Sequence, residues 1–188
     1  MKFLIFFLFP FLLLSSGCRQ EAPFFEPLKP AIERLPNGME IFALEDRELP
    51  TVQLILYMRG GSVYDPPGKE GLASFAMETI RVGGTPGRGP GQVERDLEFV
   101  GASLEIGTRE EYQTASLSLL KKDLDLGLDL LFELLRHPTL DRGQFEIIKK
   151  RTKDTLERER EDPLTLGFKE YPLFVYGPGS SWGRQPTS

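Results

Sequence analysis

Residues 51–58, TVQLILYM, restrict the fold more than any other segment because they alternate along their whole length. A period of two is typical of a β-strand, in which successive side chains point to opposite faces of the sheet. One face would carry Val52, Leu54, Leu56 and Met58, and the other would carry Thr51, Gln53, Ile55 and Tyr57. We therefore expect a sheet with one strongly buried face, which a second layer must cover.

Four other segments are predicted strands. The runs around AIERL and MEIFAL flank Pro36-Asn37-Gly38, and Asn-Gly between apolar runs favours a hairpin because both residues tolerate positive φ. Residues 102–108 and 112–119 are the two further candidates.

Helical spacing predicts five helices. The first lies in GLASFAMETIRVGGT, where Leu72, Phe75, Ala76 and Ile80 share one face and a Gly-Gly pair ends the helix. In LDLGLDLLFELL the leucines first alternate as in a strand, but the spacing 124, 128, 131, 135 favours a helix. The other predicted helices cover 92–100, 142–161 and 164–175. The Gly/Pro-rich RVGGTPGRGPG between the first two helices is predicted to be a flexible connector.

The predicted order β-β-β-α-α-β-β-α-α-α indicates an α+β fold, with an antiparallel sheet and helices packed on one face. The 188 residues suffice for one domain with a real core. Within the helix at 142–161 and just beyond it, eleven of the fourteen residues from 149 to 162 are charged. Mixed signs at this density favour a solvated helix face.

Composition excludes several kinds of site. The formal charge of −5, without a basic stripe, argues against a nucleic-acid partner. Cys18 is the only cysteine, so the folded domain has no intramolecular disulfide and no thiolate metal site. The only histidine, His137, precedes Pro138 at a predicted helix end. A metal ligand is one interpretation, and a histidine facing the helix dipole is the favoured one.

The N-terminus is typical of a secretory signal. Lys2 precedes an apolar run, residues 3–14, which is too short to span a hydrocarbon layer of ~30 Å. Ser15-Ser16-Gly17-Cys18 resembles a bacterial lipoprotein signal, although Ser15 stands where leucine is usual. That resemblance implies removal of residues 1–17 and lipidation of Cys18. Residues 19–30 carry three prolines and no clear period, so 18–30 is predicted to be a lipidated tether and 31–188 the folded domain. An ordinary signal peptide with an incidental cysteine is the alternative.

Several segments that follow one another along the chain form a recognisable set, namely LPNGMEIFAL, GGSVYDPPGKEGLA, GGT, LEFVGASLEIGT and LLRHPTLDRGQFE. In order and spacing, this set resembles the N-terminal domain of the pitrilysin/insulinase-like metallopeptidases, which include the mitochondrial processing peptidase subunits. The match runs from about residue 33 to the end. Family chains continue beyond a segment like GSSWGRQPT, so the resemblance implies that the domain of 31–188 is incomplete at its C-terminus.

Active members of that family carry H-x-x-E-H on the first helix and a further glutamate on a later charged helix. Histidines at i and i+4 reach one zinc ion, and the glutamate takes a proton from zinc-bound water. The resemblance places Ser74 and Glu78 at the histidines, Met77 at the general base and Thr155 at the later glutamate. It therefore implies no catalytic residues and no bound cofactor, although active relatives use zinc.

A hard cation is a second possibility, because Glu70, Ser74 and Glu78 share one helix face. Two carboxylates and a hydroxyl on an exposed surface are more often solvated side chains, which is the favoured interpretation.

The family also binds extended peptides at a sheet edge beside the zinc, through main-chain hydrogen bonds that need no metal. The matching residues are Leu104, Glu105 and Ile106, with Glu105-Ile106 where Asn-Ala is frequent. The resemblance implies a non-catalytic lipoprotein subunit of the bacterial cell envelope, facing the periplasm or the exterior. It would pair with an active zinc peptidase or present peptides to it. The alternatives are an active zinc metalloendopeptidase with an unrecognised site, and a peptide-binding or scaffolding lipoprotein.

Overall fold

The computed structural model describes residues 29–186. The predicted signal peptide, the predicted lipidation at Cys18 and most of the predicted tether therefore lie outside the described residues. The described part up to residue 48 forms one unit, and residues from 49 onward form a second.

The first unit is the predicted hairpin. Strands β1 (Ala31–Arg34) and β2 (Glu40–Ala43) pair antiparallel. Gly38 has φ +85°, and the Asn37 side-chain oxygen accepts a hydrogen bond from the Met39 N–H at 3.0 Å. The hairpin turn that the Asn-Gly pair predicted is therefore confirmed, with positive φ at the glycine.

The second unit contains a three-stranded antiparallel sheet. Its strands are β3 (Thr51–Arg59), β4 (Ser103–Thr108) and β5 (Tyr112–Leu120), in the order β3-β5-β4. The α+β prediction is confirmed, but residues 29–186 form two small antiparallel sheets instead of the single predicted sheet.

Five helices complete the second unit, and their ends lie within two residues of the predicted ones. They are α1 (Leu72–Gly83), α2 (Gln92–Phe99), α3 (Leu124–Arg136), α4 (Arg142–Glu159) and α5 (Pro163–Tyr176). Asp141 and Asp162 cap the starts of α4 and α5 by accepting backbone N–H bonds. Within residues 29–186, no helix combines the length and apolar content needed to cross a bilayer.

The core lies between one face of the sheet and the helices. The β3 side chains predicted to be buried pack on this core, whereas Tyr57 on the opposite face is 65% exposed. A Cβ on Gly127 of α3 would overlap Leu119 Cδ2, so this helix lies directly on the sheet. The fully or nearly buried residues of the core are Val93, Leu97, Leu104, Ala115, Leu117, Leu119, Leu130, Leu131 and Leu134.

Candidate functional site

Helix α1, which carries the predicted site positions, is fixed at its start by the loop before it. The buried Asp65 carboxylate accepts hydrogen bonds from the Gly71 N–H at 2.7 Å and the Ala73 N–H at 2.9 Å. Arg184, near the end of the described chain, donates to the Asp65 carbonyl at 3.0 Å. Two separate segments thus position the first turn of α1.

The other end of α1 is held by the loop between α3 and α4. A Cβ on Gly83 would overlap the Thr139 carbonyl oxygen, and the Thr139 N–H donates to the Gly84 carbonyl at 2.9 Å. This close backbone approach requires glycine at residue 83.

The Gly/Pro-rich loop after α1 is not the flexible connector that its composition indicated. Thr85 is buried and its hydroxyl donates to Glu133 at 2.6 Å. Arg88 pairs with the same glutamate and, at 3.1 Å, with Asp96. These polar contacts tie the loop to α2 and α3, which the glycine and proline content could not reveal.

Helices α1 and α4 enclose a groove of about 460 Å³. Phe75 on α1 stacks edge-on against Phe145 on α4, with ring centroids 4.9 Å apart, so an aromatic contact joins the two helices beside it. The lining combines an apolar set, Leu72, Phe75, Leu156 and Pro186, with a polar set, Lys69, Glu70, Ser74, Glu78, Lys149, Thr152 and Lys153.

The structure brings two of the four predicted site positions together. Ser74 and Glu78 line the groove. Met77 is only 6% exposed and packs inside the protein. Thr155 on α4 is exposed, while Thr152 and Leu156 on the same helix line the groove.

The two carboxylates of the groove are already paired with protein cations. Glu78 forms an ion pair with Arg151 of α4. Glu70 accepts a hydrogen bond from the Gly68 N–H at 3.0 Å and lies 3.6 Å from Arg184. The Gly68 N–H and then the backbone N–H of Glu70 itself lower the pKa of the Glu70 carboxyl. Desolvation opposes them, and the Arg184 guanidinium adds the smallest lowering effect.

These residues do not fit a zinc ion. At the motif positions the groove offers the Ser74 hydroxyl and the Glu78 carboxylate, which is paired with Arg151, whereas a catalytic zinc ion is held by three protein ligands such as imidazoles and carboxylates. No three histidine, cysteine, aspartate or glutamate side chains within residues 29–186 come together in a way that could hold a metal ion. His137 is exposed at the C-terminal end of α3, where its backbone N–H donates to the Glu133 carbonyl. No hydrolytic step can be derived from this donor set.

Strand β4 lies at an edge of the three-stranded sheet, as the peptide-binding prediction requires. Among the described strands it pairs only with β5. Leu104 is buried, Ile106 is partly buried and Glu105 is exposed, so the first two face the core and Glu105 faces solvent. The outer row of β4 backbone groups therefore takes part in no strand pairing within the described residues.

Sequence reasoning missed three residues that shape the site: Asp65, Arg151 and Arg184. Arg151 belongs to a run of charges with no periodic signal, and its partner Glu78 is distant in sequence. Asp65 lies in GGSVYDPPGKEGLA and Arg184 in GSSWGRQPT, but neither pattern indicated that these side chains fix the start of α1.

A sheet covered by helices on one face, with a groove between two of those helices, defines an α+β domain. Residues 41–165 match the family model of insulinase, peptidase family M16, and the chain belongs to this family.

Two curated relatives illustrate the match. Bovine mitochondrial cytochrome b-c1 complex subunit 1 is 28% identical over 141 residues, covering 73% of this chain and 29% of the relative. The beta subunit of bovine mitochondrial-processing peptidase is 31% identical over 117 residues, covering 62% of this chain and 23% of the relative. The chain therefore spans less than a third of the length of either relative.

Two solved structures share the fold. The peptidase M16 inactive domain from Pseudomonas fluorescens superposes with a TM-score of 0.78 at 24% identity, covering 84% of this chain and 38% of that chain. A protease from Helicobacter pylori superposes with a TM-score of 0.64 at 17% identity, covering 74% of this chain and 34% of that chain.

Proposed function

We propose that this protein is a non-catalytic, peptidase-like subunit of the M16 family that pairs with an active zinc peptidase or presents peptides to it. The observation that carries the proposal is the ion pair between Glu78 and Arg151. An active member would hold a metal ion against this face of α1, whereas here α4 supplies an arginine to the single acidic side chain of the motif.

Two further features support a role without chemistry. Met77 has no basic group and is buried, so nothing at its position can accept a proton from water. The open edge of β4 can still bind an extended peptide through main-chain hydrogen bonds.

The names of the curated relatives support the pairing. Both relatives are subunits by name, one of the cytochrome b-c1 complex and one of a processing peptidase. The Pseudomonas structure is by name a peptidase M16 inactive domain, so this fold also occurs as an inactive domain. A subunit that contributes surface to an active partner is consistent with both facts.

The first 18 residues support a place for this subunit in the bacterial cell envelope, through a lipid on Cys18. Replacing that cysteine, as Cys18→Ser, is expected to release the protein from the membrane fraction and abolish labelling by a radioactive fatty acid. Unchanged membrane retention and labelling in this variant would refute the anchor.

Metal analysis combined with a cleavage assay tests the absence of catalysis. The purified full-length chain is dialysed against zinc, its metal content is measured by mass spectrometry, and a mixture of quenched fluorescent peptides is offered with and without chelator. We expect less than a tenth of a zinc ion per chain and no chelator-sensitive cleavage, because the ligand set is absent. One zinc per chain, with cleavage that the chelator abolishes, would make the chain an active metallopeptidase.

The pairing is tested by co-purification with a relative from the same cell that carries H-x-x-E-H. We expect a stable complex in which the partner cleaves peptides faster than it does alone. A chain that binds no such relative but still binds peptides would be a scaffolding lipoprotein.

A further inference from the structure

The groove between α1 and α4 has an excess of positive charge. Its two carboxylates, Glu70 and Glu78, are matched to Arg184 and Arg151. Three exposed lysines also line it, namely Lys69, Lys149 and Lys153. Their one ion pair within the described residues is a long contact of 3.9 Å between Lys153 and Glu157.

This local charge is opposite to that of the whole protein, whose formal charge is −5. Cations gathered on an acidic protein attract anionic groups to one place and repel other basic segments. The groove therefore discriminates between ligands by the sign of their charge.

The same groove offers apolar surface to a ligand. Leu72 is an exposed large apolar side chain, and Phe75 and Leu156 are partly buried beside it. A leucine on an exposed helix turn next to an aromatic ring can take up a side chain of similar size.

We propose that this groove binds a polypeptide segment in which a carboxylate side chain lies next to an apolar one. The apolar side chain would contact Leu72, Phe75 and Leu156, and the carboxylate would pair with Lys149 or Lys153 on α4. The inference rests on the proposed function, because it assigns an acidic-apolar ligand to the groove in which the metal-binding residues have been replaced. The charge complementarity of the three lysines selects this occupant over a basic peptide.

The test uses three fluorescein-labelled peptides of equal length that differ only in their charged positions. The first alternates Leu with Glu, the second replaces Glu by Gln, and the third replaces Glu by Lys. Binding to the full-length chain in a mild nonionic detergent is followed by fluorescence anisotropy. We expect the affinity to fall in the order Glu, Gln, Lys, and the Glu peptide to lose its advantage at 0.5 M salt because exposed pairs are screened.

Variants locate the binding. The double variant Lys149→Glu with Lys153→Glu is expected to lower the affinity for the Glu peptide by about tenfold or more, since each exposed ion pair contributes up to about fivefold in affinity. Lys149→Gln with Lys153→Gln is a milder version that keeps the test valid if the charge reversal disturbs folding. Lys150→Glu is the matched control, because Lys150 is exposed on α4 but does not line the groove.

Four outcomes would overturn the proposal. They are equal binding of the three peptides, preference for the Lys peptide, a loss of affinity in Lys150→Glu as large as in the double variant, and no peptide binding at all. In the last case, light scattering that shows a dimer would assign the groove to a second copy of the chain. None of these outcomes alters the zinc and cleavage measurements, so failure of this proposal is distinguishable from failure of the proposed function.

Discussion

Restoring the general base at residue 77 is expected to destabilise this protein rather than to restore chemistry. Met77 is 6% exposed, so Met77→Glu buries a carboxylate that has no designed partner. Burial of this degree raises the pKa of a glutamate by about 2 units, which corresponds to roughly 3 kcal/mol between its charged and neutral forms. Loss of the apolar side chain adds about 1.5–3 kcal/mol.

The sign of the pH dependence follows from the raised pKa. The unfolded glutamate has a pKa near 4.3, and the folded one would have a higher value, so stability is retained below about pH 4 and lost as the pH rises through the folded pKa. Urea unfolding followed by circular dichroism should therefore show that Met77→Glu lowers the free energy of unfolding, relative to the unchanged protein, by about 2 kcal/mol more at pH 8 than at pH 5.

Two control variants separate the charge from the packing. Met77→Gln should show the packing loss without its pH dependence, and Met77→Leu should lose less than about 1.5 kcal/mol. If Met77→Glu loses the same free energy at pH 5 and pH 8, residue 77 is in contact with solvent and the argument from burial is wrong.

Further predictions concern the helices around the site. Gly127→Ala should destabilise the protein by about 1 kcal/mol or more, because overlap with Leu119 outweighs the higher helix propensity of alanine. Gly167→Ala should instead stabilise α5 by about 0.5–1 kcal/mol, because no atom lies near the added methyl group. Equal effects of the two variants on urea unfolding would contradict the packing of α3 on the sheet. Hydrogen bonds from the Thr165 hydroxyl and, less strongly, from the Leu164 N–H lower the pKa of the Asp162 carboxyl. The stability that Asp162 contributes as a cap is therefore present above its pKa in the unfolded chain, and it is lost as the pH falls through its lower pKa in the folded protein. Asp162→Asn should keep the cap but remove this acid-sensitive part of the α5 helicity, measured by circular dichroism between pH 7 and pH 2.5; an unchanged acid profile would refute it.

The elements of the fold could be predicted because local signals specify them: a turn sequence specifies the first hairpin, and periodicity specifies most of the other elements. The alternation over 51–58 and the leucine spacing over 124–135 both gave the correct element, since burial on one face imposes its period on the sequence. The division into two sheets could not be predicted in this way, because strand pairing depends on long-range contacts that a local pattern does not contain.

The candidate site could be predicted only as a set of positions. The alignment with the zinc motif identified the residues that replace its ligands and base, namely Ser74, Met77 and Glu78. The same alignment predicted that all three side chains face one site. The structure places Ser74 and Glu78 in the groove and Met77 inside the protein. The pairing of Glu78 with Arg151 joins two helices that are far apart in sequence, so no spacing rule could reveal it.

Both ends of α1 are attached to protein atoms, at Asp65 and at the close approach of Gly83 to Thr139. No ion is needed to hold this helix at its angle or depth. Substitutions on the groove-lining face of α1, such as at Ser74, can therefore occur while the helix keeps its position, so the groove retains its shape when the chemistry of its lining changes.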